Sequence, residues 1–378
     1  MALTKLGLYI KQSDARNDSG LFGEEAVAGL STQKEIIRTK ADLSGVGLTS
    51  YKLFPPRSFA YVPDTSRRGE KIALAFNMTQ TVYLVSSIYV VFNVSDAKKL
   101  DPWYLFIYFN RPEFDRYARF NSWGSARETF NWEDMCDIDI ALPDLSIQRK
   151  YVDIYKAMVA NQRSYERGLE DLKLVCDGYI EDLRRKLPCE PVGQFIAQSK
   201  EKNTDGAITL EQGINIEKKF ITPQRSNDNF YGRQIVRTGQ IAYCTQLNNE
   251  NVAVALRTGP DCIVSSVYDV IYVKDETELL PEYLMLWLSR REFGRYVYWA
   301  SQGTSYEFLS YENLARYKIP VPELSVQKTI VGIYQAYHTR KAICEKLKAQ
   351  IKAVCPVLIK GALEEGLSAD GGNRNGGV

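Results

Sequence analysis

One histidine, His338, stands in a chain of 378 residues. Its isolation removes several kinds of chemistry, because neither a Ser-His-Asp triad nor a His-based metal site nor a His general base can be built in the globular stretches. The seven cysteines are odd in number and include no CxxC pair, so they fit a reducing compartment as small apolar residues. No apolar run reaches the ~18 residues of a membrane span. The N-terminus MALTKLGLYIKQSD also lacks the apolar core of a signal peptide, and a cytoplasmic location is expected. The GxxxxGKS/T phosphate loop, GxGxxG and HExxH are all missing. FPPR at 54–57 lacks the residues that flank the Pro-Pro core of amino-methyltransferase motifs, and Asp64 with Glu70 and Lys71 lacks the acid-x-Lys spacing of a nuclease; both read as turns. Nor is there a strong excess of charge, the net being +2, although charge can also be concentrated locally on one surface. These absences leave recognition surfaces without a catalyst or a metal site.

What the chain does have is a duplication. PDLSIQRKYVDIYKAMVANQRSYERGLEDLKLVCDGYIEDL begins at Pro143, and PELSVQKTIVGIYQAYHTRKAICEKLKAQIKAVCPVL begins 179 positions later at Pro322. Each opens on Pro, an acid, Leu and Ser, a helix-start signal. In the first copy a 4-3 spacing runs through Ile147, Tyr151, Ile154, Met158, Asn161, Tyr165, Gly168, Leu172, Val175 and Tyr179. In the second it runs through Val326, Ile330, Ile333, Tyr337, Arg340, Cys344, Leu347, Ile351, Val354 and Leu358, every member again 179 positions on. A preserved heptad phase predicts two long helices that pack on each other along this seam. Asn161 and Arg340 would be matching polar positions that fix register. His338, beside the seam, reads as a helix-surface residue.

Chain order then predicts geometry. A globular part, a helix, a second globular part and a second helix can pair their helices only antiparallel, with a globular part at each end and a pseudo-two-fold between the halves. About 40 residues at ~1.5 Å per residue span roughly 60 Å, about one and a half turns of DNA duplex. The expected divisions are residues 1–142, a helix at 143–187, residues 188–321, a helix at 322–366, and a polar flexible tail at 367–378.

The two globular parts share a grammar. KIALAFN (71–77) and TVYLVSSIYVVFNV (81–94) read as strands, and DPWYLFIYFNRPEFDRYARF from Asp101 reads as helix. LGLYI at 6–10 matches VGQFI at 192–196, and FAY at 59–61 matches IAY at 241–243. VSSIY at 85–89 matches VSSVY at 264–268, after which Arg111, Glu113, Phe114, Arg116 and Tyr117 map onto Arg290, Glu292, Phe293, Arg295 and Tyr296. Insertions therefore lie between residues 20 and 85, in loops on a common frame, where differing specificity usually resides.

Those loops carry the candidate DNA contacts. In the first part they are Ser50, Tyr51 and Lys52, then the basic turn with Arg67, Arg68 and Lys71. Their counterparts in the second part are amide-rich: Arg225, Asn227, Asn229, Tyr231 and Arg233, then Asn248 and Asn249. A further loop closes each part, with Ser125 and Arg127 in one and Thr304, Ser305 and Tyr306 in the other. Arg suits guanine edges, Asn suits adenine edges, and Lys, Ser and Thr suit phosphates.

Two variable domains alternating with near-identical long helices, the arms ALPDLSIQ and IPVPELSVQ, and the stretch TSYKLFPPRSFAYVPD together resemble the specificity (S) subunit of type I restriction-modification systems over roughly residues 4–365. The resemblance implies an α+β architecture in which two strand-rich target recognition domains each read one half of a bipartite, asymmetric DNA target. The helices would form a coiled-coil spacer and dock two DNA adenine methyltransferase (M) subunits. S-adenosylmethionine would then sit on those subunits and ATP on restriction (R) subunits, with no cofactor on this chain. Arg127 is replaced by Tyr306 in the second copy, so the two halves of the target should differ. The alternative is a coiled-coil adaptor between proteins, which should present apolar hot spots where these loops are Arg, Asn, Ser and Thr. A degenerate methyltransferase core is opposed by the missing Gly-rich cofactor loop.

Overall fold

A computed structural model describes residues 2–39, 41–66, 71–124, 127–223, 229–247, 251–301 and 308–372. The chain divides into two compact units, Met1–Ser164 with Cys344–Val378, and Tyr165–Ile343. Each unit contains one globular domain and one half of each long helix.

In the first unit the elements run β1 (Leu3–Lys5), β2 (Ile10–Ser13), β3 (Ala28–Leu30), β4 (Ile36–Arg38), β5 (Lys52–Phe54), β6 (Phe59–Tyr61), β7 (Leu74–Phe76), β8 (Tyr83–Val85) and β9 (Val90–Val94). They continue with α1 (Pro102–Phe109), α2 (Pro112–Phe120), α3 (Trp132–Cys136), β10 (Asp139–Ala141) and α4 (Leu145–Lys186), the last shared with the second unit. Strand order β2-β9-β6-β7 makes a four-stranded antiparallel sheet, while β5-β8 and β3-β4 form two-stranded ladders. Period-two alternation explains why both faces of the sheet are dry. Phe59, Tyr61, Leu74 and Phe76 point to a core completed by α1–α3, and the intervening Ala60, Ala73 and Ala75 point to a second cluster with Phe54 and Val85. Phe59 stacks on Phe76 and Phe92 at centroid distances of 4.7 and 5.0 Å. The pairing of β1 with β10 brings the chain's entry and exit together at the start of α4.

The second unit repeats this plan. Its elements are β11 (Cys189–Pro191), β12 (Ile196–Ser199), β13 (Gly213–Ile214), β14 (Phe220–Ile221), β15 (Gln234–Val236), β16 (Ile241–Cys244), β17 (Val254–Leu256), β18 (Cys262–Val264) and β19 (Tyr268–Val273). There follow α5 (Pro281–Ser289), α6 (Arg291–Ala300), α7 (Tyr311–Ala315), β20 (Lys318–Pro320) and α8 (Leu324–Gly372), whose second half belongs to the first unit. The sheet order β12-β19-β16-β17, with ladders β15-β18, β13-β14 and β11-β20, is the first unit's topology strand for strand. Accordingly FAY and IAY fall on the equivalent strands β6 and β16, and the two VSS segments close β8 and β18.

Three buried polar devices recur in both units. Gln148, with no exposed surface, accepts a hydrogen bond from Asp101 N (2.9 Å) and donates to the carbonyls of Lys99 (2.7 Å) and Pro143 (2.8 Å). Gln327 does the same with Leu280 N, Glu278 O and Pro322 O, at 2.9, 2.7 and 2.8 Å. This is why a Gln closes both the PDLSIQ and PELSVQ arms: it ties the first turn of each long helix to the loop that starts α1 or α5. Asn17 bridges Phe22 and Leu48, as Asn203 bridges Ile208 and Phe230.

The third device is a lysine at the tip of the β3-β4 or β13-β14 hairpin, held at positive φ: Lys34 at 66° and Lys218 at 62°. Lys34 Nζ donates to Ile72 O (2.8 Å) and pairs with Asp115 (2.5 Å). Among the described residues Lys218 Nζ reaches only carbonyls, Leu288 O at 3.1 Å and Val252 O at 3.3 Å, and burial pushes its pKa from 10.5 down to about 8. Because the folded value lies below the unfolded one, the unfolded chain holds the extra proton between these two pH values, and stability gained from this site rises with pH across that window. The stability of a Lys218→Met variant relative to wild type should therefore be highest near pH 7 and fall progressively towards pH 10. The mutant-minus-wild-type difference should change by about 2–3 kcal/mol, read from urea melts at both pH values; a flat difference would refute the assignment.

The helices pair antiparallel in each unit. In the first, Lys150 and Tyr151 bind the Glu365 carboxylate (2.8 and 3.2 Å), and Gln162 Nε2 lies 3.2 Å from Cys344 Sγ, so the partner number falls as the α4 number rises. In the second, the Arg340 guanidinium lies 5.4 Å from the Tyr165 ring centre and so close to Gly168 that a Cβ there would sit 2.8 Å from its Cζ. The expected seam needs one correction. Along α8, Ile330 is buried and Ile333, Arg340, Leu347 and Ile351 are half-buried. Along α4, however, Ile147, Tyr151 and Leu172 are half-buried, whereas Ile154 and Asn161 are exposed. The buried stripe there runs one residue later, through Gln148, Val152, Tyr155, Gln162, Cys176, Ile180 and Leu183. The cause is that α4 also covers a globular core: Val152 and Tyr155 join the first unit's core, the Tyr155 ring 6.3 Å from that of Phe106, and Ile180 joins the core of the second unit. Asn161 thus fixes no register. α8 also runs past the expected end at 366 to Gly372, with Pro356 inside it. His338 lies on the helix surface as expected, its ring 4.3 Å from that of Tyr334.

Candidate nucleic-acid interface

In the first unit two of the three expected loops are laced together. Thr65 N donates to Glu128 O (3.0 Å) and Phe130 N to Pro63 O (2.9 Å), and Asp64 bridges to Thr129. Trp123 and Thr129 exchange reciprocal backbone hydrogen bonds of 3.2 and 3.0 Å. Gly124, at φ +144°, makes that closure possible, since a Cβ would fall 2.0 Å from the Arg127 carbonyl oxygen. Lys71 and Arg127 are both exposed on these loops. The second unit repeats the stitch, with Leu309 N donating to Thr245 O (2.8 Å) and Gln246 bridging to Phe308. In each domain, then, the loop after β6 or β16 and the loop after α2 or α6 form one edge.

The remaining segment behaves differently. Ser50 is exposed, but its carbonyl accepts from Arg16 Nη1 (3.0 Å). Tyr51 is half-buried against the cluster of Ala26, Val27, Leu43 and Leu84. Lys52 is buried, its ammonium 2.9 Å from Asp14, whose carboxyl is held below its usual range by Lys52 and then by Arg16. Lys52 is therefore not a free surface cation, because β5 turns its side chain inward. In the second unit Tyr231 stands 67% exposed, and Asn229 accepts from Tyr231 N (3.2 Å). Arg233 is half-buried, 3.5 Å from Glu211, with its Nε on Asn229 O. Arg67, Arg68, Ser125, Arg225, Asn227, Asn248, Asn249, Thr304, Ser305 and Tyr306 lie outside the described residues.

Sequence reasoning passed over three aromatic side chains at these edges. Phe120, Trp123 and Trp299 are 75%, 65% and 70% exposed. The signal available was their place in the repeat, for Trp299 follows Phe120 by the same 179 positions that relate the helices. Among the described residues, no group of His, Cys, Asp and Glu side chains can hold a metal ion, and no helix is long and apolar enough to cross a membrane.

Residues 193–353 match the family of the type I restriction modification DNA specificity domain. The type I restriction-modification S subunit from M. genitalium is similar over 96% of this chain and 95% of its own, with a TM-score of 0.61 at 10% identity. The HsdS subunit from Thermoanaerobacter tengcongensis aligns over 97% and 96% at 14% identity, with a TM-score of 0.40. No curated protein sequence matches this one. Residues 193–353 thus match a type I DNA specificity domain, and the fold of the whole chain resembles that of the M. genitalium S subunit.

Proposed function

We propose, from the membership of residues 193–353 in the type I DNA specificity family and the repetition of that domain's topology in residues 1–142, that the chain is the DNA-sequence specificity subunit of a type I restriction-modification complex. The observation that carries this reading is the doubled edge: one scaffold presents the same pair of stitched loops twice, with different side chains on each. Each domain reads one half of a bipartite target, and the paired helices set the unread spacer. Exposed cations such as Lys71 and Arg127 contact phosphate or base edges, and the amide-rich loops of the second domain read adenine-bearing steps. Methyltransferase subunits supplying S-adenosylmethionine dock on the helices, whose outward faces carry exposed Leu174, Val357 and Leu367. Restriction subunits bring ATP.

Two measurements test the reading. Co-expression with the methyltransferase subunit of a type I system, followed by methylome sequencing, should reveal one split adenine motif that appears only with this chain. A stable complex with no new methylation would overturn it. On that target, Arg127→Ala should flatten the slope of log K against log salt by about one unit if Arg127 neutralises a phosphate. An unchanged slope with relaxed sequence preference would instead make it a base contact.

A further inference from the structure

Phe120 lies on the polar face of α2, four residues after exposed Arg116, while Phe114 and Ala118 of the same helix are buried. Four residues apart on a helix is one face. The second domain carries the same pair, Arg295 and Trp299 on α6, opposite buried Phe293 and Val297. Bulky rings with this much exposure are not core residues that slipped out, because the buried face of each helix is already filled. In the first domain the ring of Phe120 meets Trp123 edge-on at 6.4 Å, and the reciprocal hydrogen bonds of Trp123 with Thr129 anchor its backbone. Trp299 lies 6.3 Å from Tyr296, whose hydroxyl donates to Asn313 O (2.9 Å). An exposed ring one helical turn from an exposed arginine, at matching positions of a duplicated domain, suits one kind of surface: stacked bases flanked by phosphates, to which the Arg116 guanidinium would turn from its exposed ion pair with Glu113.

We propose that Phe120 with Trp123 in one domain, and Trp299 in the other, are aromatic wedges that stack on and open a base step of the DNA at each half-site, with Arg116 and Arg295 holding the adjoining phosphates. This rests on the specificity-subunit reading and adds to it a DNA deformation, so that specificity extends to base steps that are easily unstacked. A protein partner is the competing occupant. It is disfavoured because Phe120 and Trp299 each share an exposed helix face with an arginine, and hot spots for proteins lie in desolvated pockets rather than on such a face.

The test uses the full chain with its methyltransferase subunits on target duplexes carrying 2-aminopurine at successive positions of each half-site. Wild type should raise the fluorescence at one step per half-site. Phe120→Ala with Trp123→Ala should abolish the rise in one half only, and Trp299→Ala in the other. Each should weaken binding roughly 10- to 100-fold with the salt slope unchanged, since rings release no counterions. All three side chains are surface groups, so folding should be preserved, which a thermal melt verifies. Wild-type affinity in the variants, or no fluorescence rise in wild type, would overturn the wedge while leaving the specificity reading intact. Loss of methyltransferase subunits with DNA binding retained would make the rings a protein-docking surface. Failure of wild type itself to prefer any target would sink the underlying reading.

Discussion

Gln148→Leu should cost the protein about 3–5 kcal/mol, the largest loss expected from any single change at the helix arms. Leucine fills a similar volume but leaves Asp101 N and the carbonyls of Lys99 and Pro143 without their partner in a site with no exposed surface. Leaving three backbone groups that face a fully buried side chain unsatisfied is worse than losing three net hydrogen bonds, because each that stays shielded from water retains its desolvation penalty. Glutamate at 148 is no rescue: it keeps one acceptor for Asp101 N, loses both donors and buries a charge. Gln327→Leu should behave alike, since the three distances repeat. Asn161→Ala, by contrast, should stay within about 0.5 kcal/mol of wild type, as a surface substitution does. Urea melts of the three variants decide the matter. A costly Asn161→Ala beside a mild Gln148→Leu would restore the seam expected from the sequence and overturn the buried stripe described above.

Seven residues inserted in both long helices, between Ser164 and Tyr165 and between Ile343 and Cys344, should move the methylated motif to a new spacing with both half-sites unchanged. Those positions bound the two compact units, so the contacts of Lys150 with Glu365 in one unit and of Arg340 with Gly168 in the other are left alone. One heptad adds about 10 Å of helix and returns almost to the same face, drifting ~20°. The preferred spacer should lengthen by roughly 3 base pairs, taking ~3.4 Å per pair, and methylation of the original motif should disappear. An insertion in one helix alone should instead disrupt pairing and lower stability. Equal methylation at the old and new spacings would refute the reading that the paired helices set the spacer.

The sequence by itself determined the duplication and much of its content. Offsets of 179 to 186 positions mapped FAY onto IAY and one VSS segment onto the other, and the structure places each pair on equivalent strands. Such matches are legible because side-chain alternation, turn residues and helix starts are local, each being decided within a few residues of backbone. The phase of α4 was not legible, and the reason lies in the sequence. Tyr151, Ile154 and Met158 form one apolar row, and Val152, Tyr155 and Val159 form another beside it. Only the globular core chose, by burying Val152 and Tyr155 and leaving Ile154 45% exposed.

The same holds for charge. Lys34, Lys52 and Lys218 look like solvated surface cations in the sequence, yet each ammonium is turned inward to partners 34 to 81 positions away. Arg116 and Phe120, or Arg295 and Trp299, are an unremarked i,i+4 pair until the opposite helix face is seen to be full. Local pattern specifies which elements form and that they form twice. Which face each element buries, and which polar side chains stay exposed, depends on contacts between residues far apart in the chain, and those exist only once each unit has packed.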